Sequence, residues 1–239
     1  MTARRDELAD GLARVRARIA DACQAAGRPV SEVTLVVVTK FFPADDVLEL
    51  HGLGVRDFGE NRDQEAGPKF RQVRDQLGAA GARDDVTLHF VGQLQTNKAR
   101  HVAAYADVVH SVDRARLVEA LDRGAHAAGR RLGVLLQVSL DGTTGRGGVL
   151  PQHVDDLAAD VASRDLLRLC GVMAVAPRGM DPDASFARLE EVAGGIRDHH
   201  PEAGWISAGM SGDLEAAIRH GATHLRVGTA ILGSRPTLR

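Results

Sequence analysis

The chain has 239 residues, 44% apolar and 26% charged, with a formal net charge of -2. That length supports one core, and the near-neutral balance gives no global field for nucleic acid or anionic lipid. Cys23 and Cys170 are too far apart in sequence to suggest a disulfide framework or a zinc site, no apolar run could cross a bilayer, and the amino terminus lacks an apolar signal region, so a cytoplasmic protein without membrane, metal or nucleic-acid partner is expected.

Leu8, Leu12, Val15, Ile19 and Cys23 recur at helical spacing between charged residues, predicting an amphipathic helix that Gly27 and Pro29 end. The run Leu35-Val36-Val37-Val38-Thr39-Lys40, bounded by Pro43, reads as a buried parallel strand with a lysine at its carboxyl end. Alternation along the strand puts Val36, Val38 and Lys40 on one face. An ammonium there either snorkels to water or has a task, and the lysine alone leaves both readings open. Ala44 to Leu53 reads as a short helix, Val55 to Gly59 as the second strand, and Arg62 to Leu77 as the next helix. Thr87 to Val91 is the third strand, with a helix over Thr96 to Ala104; Val108 to Val112 is the fourth, with a helix from Asp113 towards Ala128. Gly133 to Leu140 predicts a fifth strand leading into the glycine-rich loop Gly142 to Gly148, and Pro151 starts the following helix. Leu167 to Val175 is the sixth strand, Phe186 to His199 its helix, and Trp205 to Ala208 a short seventh strand. Ser211 is expected to cap a helix over Leu214 to Arg219, and His224 to Ile231 to form the eighth strand.

Strands alternating with helices across residues 1–239, with no composition shift to mark a linker, fit one α/β domain. The expected architecture is a single (β/α)8 TIM barrel with an extra amino-terminal helix able to cover the place of a final helix. An open, doubly wound sheet is the alternative. In a barrel the working face carries the carboxyl ends of the strands, and phosphate sites there use the loops after strands seven and eight. After strand seven comes Gly209-Met210-Ser211-Gly212-Asp213, whose amides and Ser211 hydroxyl could hold a phosphate; after strand eight, Gly228 permits close approach and Thr229 offers a hydroxyl. Read separately, Ser211 could be only an N-cap and Gly228 only a packing residue. Closure would set strand eight beside strand one, with Lys40 next to the phosphate site and Arg226 inward on the face of Gly228.

A lysine able to form a Schiff base, an adjoining phosphate cradle and an inward arginine are what pyridoxal phosphate needs. An arginine at the pyridine nitrogen donates to an unprotonated ring nitrogen. The ring is then a weaker electron sink than one paired with a carboxylate, which suits carrying the cofactor, or racemisation, better than decarboxylation.

Thr39-Lys40 with Pro43, Phe58-Gly59-Glu60-Asn61, His89-Phe90-Val91-Gly92 with Gln95-Thr96-Asn97-Lys98, Gly171-Val172-Met173-Ala174, Gly209-Met210-Ser211 and Arg226-Val227-Gly228-Thr229 occur in that order between Leu35 and Gly233. In this order they resemble the pyridoxal-phosphate homeostasis protein family (YggS/PROSC type), whose fold is similar to the amino-terminal barrel of alanine racemase. The resemblance implies Lys40 as the aldimine lysine, Arg226 near the pyridine nitrogen, and Ser211, Gly228 and Thr229 at the phosphate, with Ser207 and Asn61 as further candidates. It also implies a non-catalytic binder that buffers pyridoxal 5'-phosphate or delivers it to apoenzymes dependent on the cofactor. Arg146 stands in the glycine-rich loop where relatives often have lysine, which puts in doubt any role needing a second amine there.

Thr144-Gly145-Arg146-Gly147-Gly148 lacks both the Gly-Lys-Ser/Thr ending of a P-loop and the G-x-G-x-x-G fingerprint, so it reads as a rim loop. None of the ten histidines forms the spaced pair of a zinc protease; His89 is either a neighbour of the cofactor or a satisfied barrel histidine. The alternative function is a racemase of the same barrel type, which needs a second proton donor opposite the lysine. The one tyrosine, Tyr105, is expected on a helix after strand three, which favours the carrier. A phosphosugar-binding barrel is a third reading, and the absence of an obvious exposed apolar stripe suggests a monomer.

Overall fold

The structure, a computed structural model, describes residues 3–143 and 147–234. Among these, eight parallel strands close into a barrel in chain order. They are β1 (Thr34–Val38), β2 (Asp57–Glu60), β3 (Thr87–Phe90), β4 (Val108–Val112), β5 (Leu132–Gln137), β6 (Leu167–Met173), β7 (Trp205–Ser207) and β8 (His224–Val227). The ring is closed by β1 against β8, with Thr34 opposite His224 and Val37 opposite Val227. Closure leaves no exposed edge and excludes the open doubly wound sheet.

Outside the barrel lie α1 (Ala3–Ala25), α2 (Ala44–Gly52), α3 (Asp63–Ala79), α4 (Ala99–Ala103), α5 (Ala115–Ala128), α6 (Val154–Ala162), α7 (Pro182–His199), α8 (Leu214–Arg219) and α9 (Thr229–Leu232). The main core fills the space between sheet and helices. A smaller apolar cluster of Val108, Leu135, Cys170 and Met173, with Trp205 packed on it, is separate from that layer. The two cysteines are free and buried. No helix of the described residues is long and apolar enough to cross a membrane.

The amphipathic stripe of α1 is buried as its spacing predicts: Leu8, Leu12, Val15, Ile19 and Cys23 are all in the core. The helix packs on α8 and α9, where Arg18 pairs with Glu215 at 2.7 Å and Arg28 donates to the Ile218 and Ala222 carbonyls. At its other end Arg4 pairs with Asp46 of α2 at 2.6 Å, so α1 bridges the seam between β8 and β1. Contact is close because Gly11 faces the Ile231 backbone, where a Cβ would lie 2.5 Å from the carbonyl oxygen.

Three local expectations are corrected. The eighth strand stops at Val227, and Thr229–Leu232 turns into α9, although Val227-Gly228-Thr229-Ala230-Ile231 has the composition of a strand. The segment after β3 is a 3-10 turn over Thr96–Lys98 followed by α4, not one helix. The residue capping α8 is Asp213 in place of Ser211, and the Asp213 side chain accepts the Met210 N–H at 2.6 Å. Arg146, Thr144 and Gly145 of the rim loop lie outside the described residues.

Substituting Gly11→Leu should force α1 off the Ile231 backbone and lower stability by about 1–3 kcal/mol, as overpacking does. Chemical denaturation measures the loss, and the buried Cys23 thiol should label faster in the variant than in the wild type.

Candidate functional site

The carboxyl end of β1 is held by buried charge. Thr39 continues the ladder through its N–H to the Gly59 carbonyl at 2.9 Å, and its hydroxyl donates to Glu60 Oε1 at 2.8 Å. Lys69, on the inner face of α3, donates to the same Glu60 oxygen at 2.6 Å and to the Thr39 carbonyl at 2.9 Å. Burial raises the Glu60 carboxyl above its ordinary range, opposed by the Lys69 charge. Its second oxygen, Oε2, is buried without a hydrogen-bond partner. Lys40 follows immediately, half-buried, and the chain then turns through Phe41 at φ 70°, with the Arg62 guanidinium 5.3 Å from the ring centroid. Lys40, Lys69 and Lys98 are the only lysines of the sequence.

Across the β1–β8 ladder, Arg226 pairs in register with Val36. The guanidinium is buried; Nη1 donates to Ser207 Oγ at 2.6 Å and Nη2 to the Ala174 carbonyl at 2.9 Å. Burial lowers its pKa to about 10, with the Asp213 charge opposing. These contacts use two of the five guanidinium N–H groups. Just beyond, Gly228 passes so close to β1 that a Cβ there would lie 2.9 Å from the Val38 carbonyl.

Ser207 is fully buried and links Arg226 to two barrel histidines. Its Oγ lies 2.9 Å from His110 Nδ1, His110 Nε2 lies 2.9 Å from His89 Nδ1, and His89 Nε2 lies 3.0 Å from Asp57 Oδ1. Burial, followed by the nearby His89, Arg226 and His224, pushes the His110 pKa far down and keeps that ring neutral. His224 stacks on Trp205 with centroids 4.0 Å apart and exchanges a 2.8 Å hydrogen bond with Thr223. His89 is thus a satisfied barrel histidine, with both ring nitrogens engaged by protein.

Of the residues singled out in the sequence, Ser207 and Arg226 are joined directly, and Gly228 reaches β1 two residues before Lys40. Ser211 lies in the loop after β7 and Thr229 is exposed at the start of α9, at neighbouring positions around the ring. Asn61 follows β2, and its buried Oδ1 has no hydrogen-bond partner. Tyr105 lies on the helical side, its hydroxyl donating to Asp63 Oδ1 of α3 at 3.1 Å. The sequence pattern does not single out Lys69 or Asp57, and it shows His110 only as an isolated histidine on its strand. Lys69 had a usable signal: it falls on the apolar stripe of α3 with Ala66, Phe70 and Val73. No group of three or more potential metal ligands occurs among the described residues.

Residues 11–236 match the family described as alanine racemase, N-terminal domain, which defines the class of barrel. A pyridoxal phosphate homeostasis protein of Mycobacterium tuberculosis is 47% identical over 243 residues, covering 97% of this chain and 94% of the relative. PipY of Synechococcus elongatus, solved with pyridoxal phosphate bound, superposes with a TM-score of 0.79 at 33% identity, covering 95% of this chain and all of that one. Alanine racemase of Corynebacterium glutamicum has the same fold, with a TM-score of 0.66 at 16% identity over 98% of this chain and 63% of that one. The chain belongs to the pyridoxal phosphate homeostasis protein family.

The His224 imidazole is pushed from 6.5 to about 3, chiefly by burial and then by His89, with Asp57 opposing. On unfolding it regains its ordinary affinity for protons, so its contribution to stability is complete above the unfolded value of 6.5 and is lost as the pH falls towards about 3. At pH 5 the loss is about 2 kcal/mol. His224→Phe keeps a ring against Trp205 and titrates nothing. Its unfolding free energy should therefore fall less between pH 7 and pH 5 than that of the wild type, by about 2 kcal/mol in urea titrations; parallel curves would contradict the assignment.

Proposed function

We propose that this chain binds pyridoxal 5'-phosphate at the carboxyl end of its barrel and serves intracellular homeostasis or delivery of the cofactor without turnover of its own. The observation that carries the reading is barrel closure. It sets β1, which leads into Lys40, beside β8, with the buried Arg226 opposite Val36 and Gly228 crossing at Val38. When bound, the cofactor supplies an aldehyde that condenses with a primary amine as a Schiff base, with loss of water. Lys40 is the residue we assign as that amine. Lys69 belongs instead to α3, where its ammonium serves Glu60 and the Thr39 carbonyl.

The donor set fits the group. Arg226 keeps N–H groups beyond those used by Ser207 and Ala174, and in this reading one of them donates to the pyridine nitrogen. Ser211, Gly228 and Thr229 would hold the phosphate. Gly228 contributes backbone access, since a side chain there would collide with Val38, and Ser211 and Thr229 contribute hydroxyls. Asn61 offers an unpartnered carbonyl oxygen, and Ser207 acts through Arg226, to which its oxygen is bound. The names of the relatives, homeostasis proteins and not racemases, support the carrier over catalysis. So does Tyr105: its hydroxyl is engaged by Asp63 of α3, and among the described residues there is no other tyrosine to act as the second acid of a racemase.

Adding pyridoxal 5'-phosphate to the purified protein should produce a long-wavelength absorption band that Lys40→Ala lacks, and incubation with L-alanine should give no turnover above the free cofactor. A colourless wild type would favour the phosphosugar-binding reading. Turnover abolished by Lys40→Ala would favour a racemase.

A further inference from the structure

The contacts below Arg226 have a direction. A guanidinium only donates, so Ser207 Oγ accepts from Arg226, and its own hydrogen is left for His110 Nδ1. In a neutral His110 ring the proton is then on Nε2, which donates to His89 Nδ1. His89 in turn carries its proton on Nε2 and donates to Asp57 Oδ1. Starting from the other end gives the same order, because a carboxylate only accepts. Reversing the middle contacts would require an added proton inside the barrel. Cation donor and carboxylate acceptor thus terminate one chain of aligned hydrogen bonds, an arrangement in which each bond polarises the next.

We propose that Asp57, His89, His110 and Ser207 form a one-directional hydrogen-bond relay that positions the Arg226 guanidinium and couples it to a carboxylate at the opposite end of the barrel. Asp57 opens β2 on the amino-end face, half-exposed, and lines a cavity of about 420 Å³ with Arg16, Arg56 and Thr34. Lys40 and Gly228 lie at the carboxyl end. The relay therefore crosses the barrel interior and opens to solvent at the end away from the proposed ligand. Asp57, His89 and His110 are positioning residues: they act on whatever faces Arg226 only through Ser207 and the guanidinium. The effect on the cofactor rests on the proposed pyridine contact of Arg226, whereas the order of protons does not.

The two parts are tested separately. In the ligand-free protein, long-range proton–nitrogen correlation of 15N-labelled histidines should show both His89 and His110 protonated at Nε2. Asp57→Asn, which keeps an acceptor oxygen but removes the charge, should move the ring signals of His110, a residue Asp57 does not touch. A proton on Nδ1 of either ring, or His110 signals unchanged in Asp57→Asn, would overturn the relay whether or not cofactor binds. In the protein loaded with pyridoxal 5'-phosphate, Asp57→Asn should shift the long-wavelength band and weaken binding about fivefold, the low end of coupling between distant sites. Asp85→Asn, at the same end of the barrel but outside the relay, should do neither. Equal behaviour of these two variants would overturn the coupling, while a wild type without a band would instead remove the cofactor reading and leave the imidazole experiment to decide the relay.

Discussion

A guanidinium buried inside a barrel is the constraint around which the rest of this interior is arranged. Removing such a cation from water costs several kcal/mol unless its protons find acceptors and its charge a counterpart. Here Ser207 and the Ala174 carbonyl supply acceptors, and Asp213 supplies a nearby opposing charge. The consequence is visible in how the barrel is filled. Branched apolar side chains ordinarily dominate such an interior. In this chain the separate apolar cluster draws on β4, β5 and β6, through Val108, Leu135, Cys170 and Met173. Beside it lie Asp57, His89, His110, Ser207, His224 and Arg226, joined by hydrogen bonds and a tilted ring contact between His89 and His224.

A second buried charge fixes the neighbouring strand end. Glu60 and Lys69 clamp both the hydroxyl and the carbonyl of Thr39, so the residue before Lys40 has little freedom. The turn that follows holds Phe41, a residue with a Cβ, in the left-handed region at a cost of about 1–2 kcal/mol. Such strain persists where surrounding contacts over-determine the backbone, and the Thr39 clamp with the Arg62 cation over the Phe41 ring provides them. Lys40 therefore follows a strand end anchored by Glu60 and Lys69, on the strand that pairs with β8, where Arg226 lies opposite Val36.

The architecture was legible because β-branched runs and helical stripes alternate along the chain. The β4 limits, Val108–Val112, and the α8 limits, Leu214–Arg219, agree with the pattern to the residue. The pattern failed where local composition and tertiary geometry disagree. Thr229-Ala230-Ile231 looks like strand, yet the ladder with β1 has ended at Val227 and the chain folds back under α1. Ser211 looked like a cap, but Asp213 lies closer to the first helical turn and takes that position. Lys40, Arg226 and Ser207 stand out as candidates in the sequence because they sit at strand ends or alternate inward with glycine. The contact between His89 and His110 could not, since it depends on β3–β4 register, with His89 opposite Val108, which no local pattern encodes.

The central claim, that Lys40 is the residue on which the ligand is held, is tested most directly by reducing the protein loaded with pyridoxal 5'-phosphate with borohydride and mapping the modified peptides. The three lysines make the outcome unambiguous. The account predicts a pyridoxyl label on the peptide containing Lys40 and none on those containing Lys69 or Lys98. A label on either of the other two, or no label on a protein that has bound the cofactor, would contradict it.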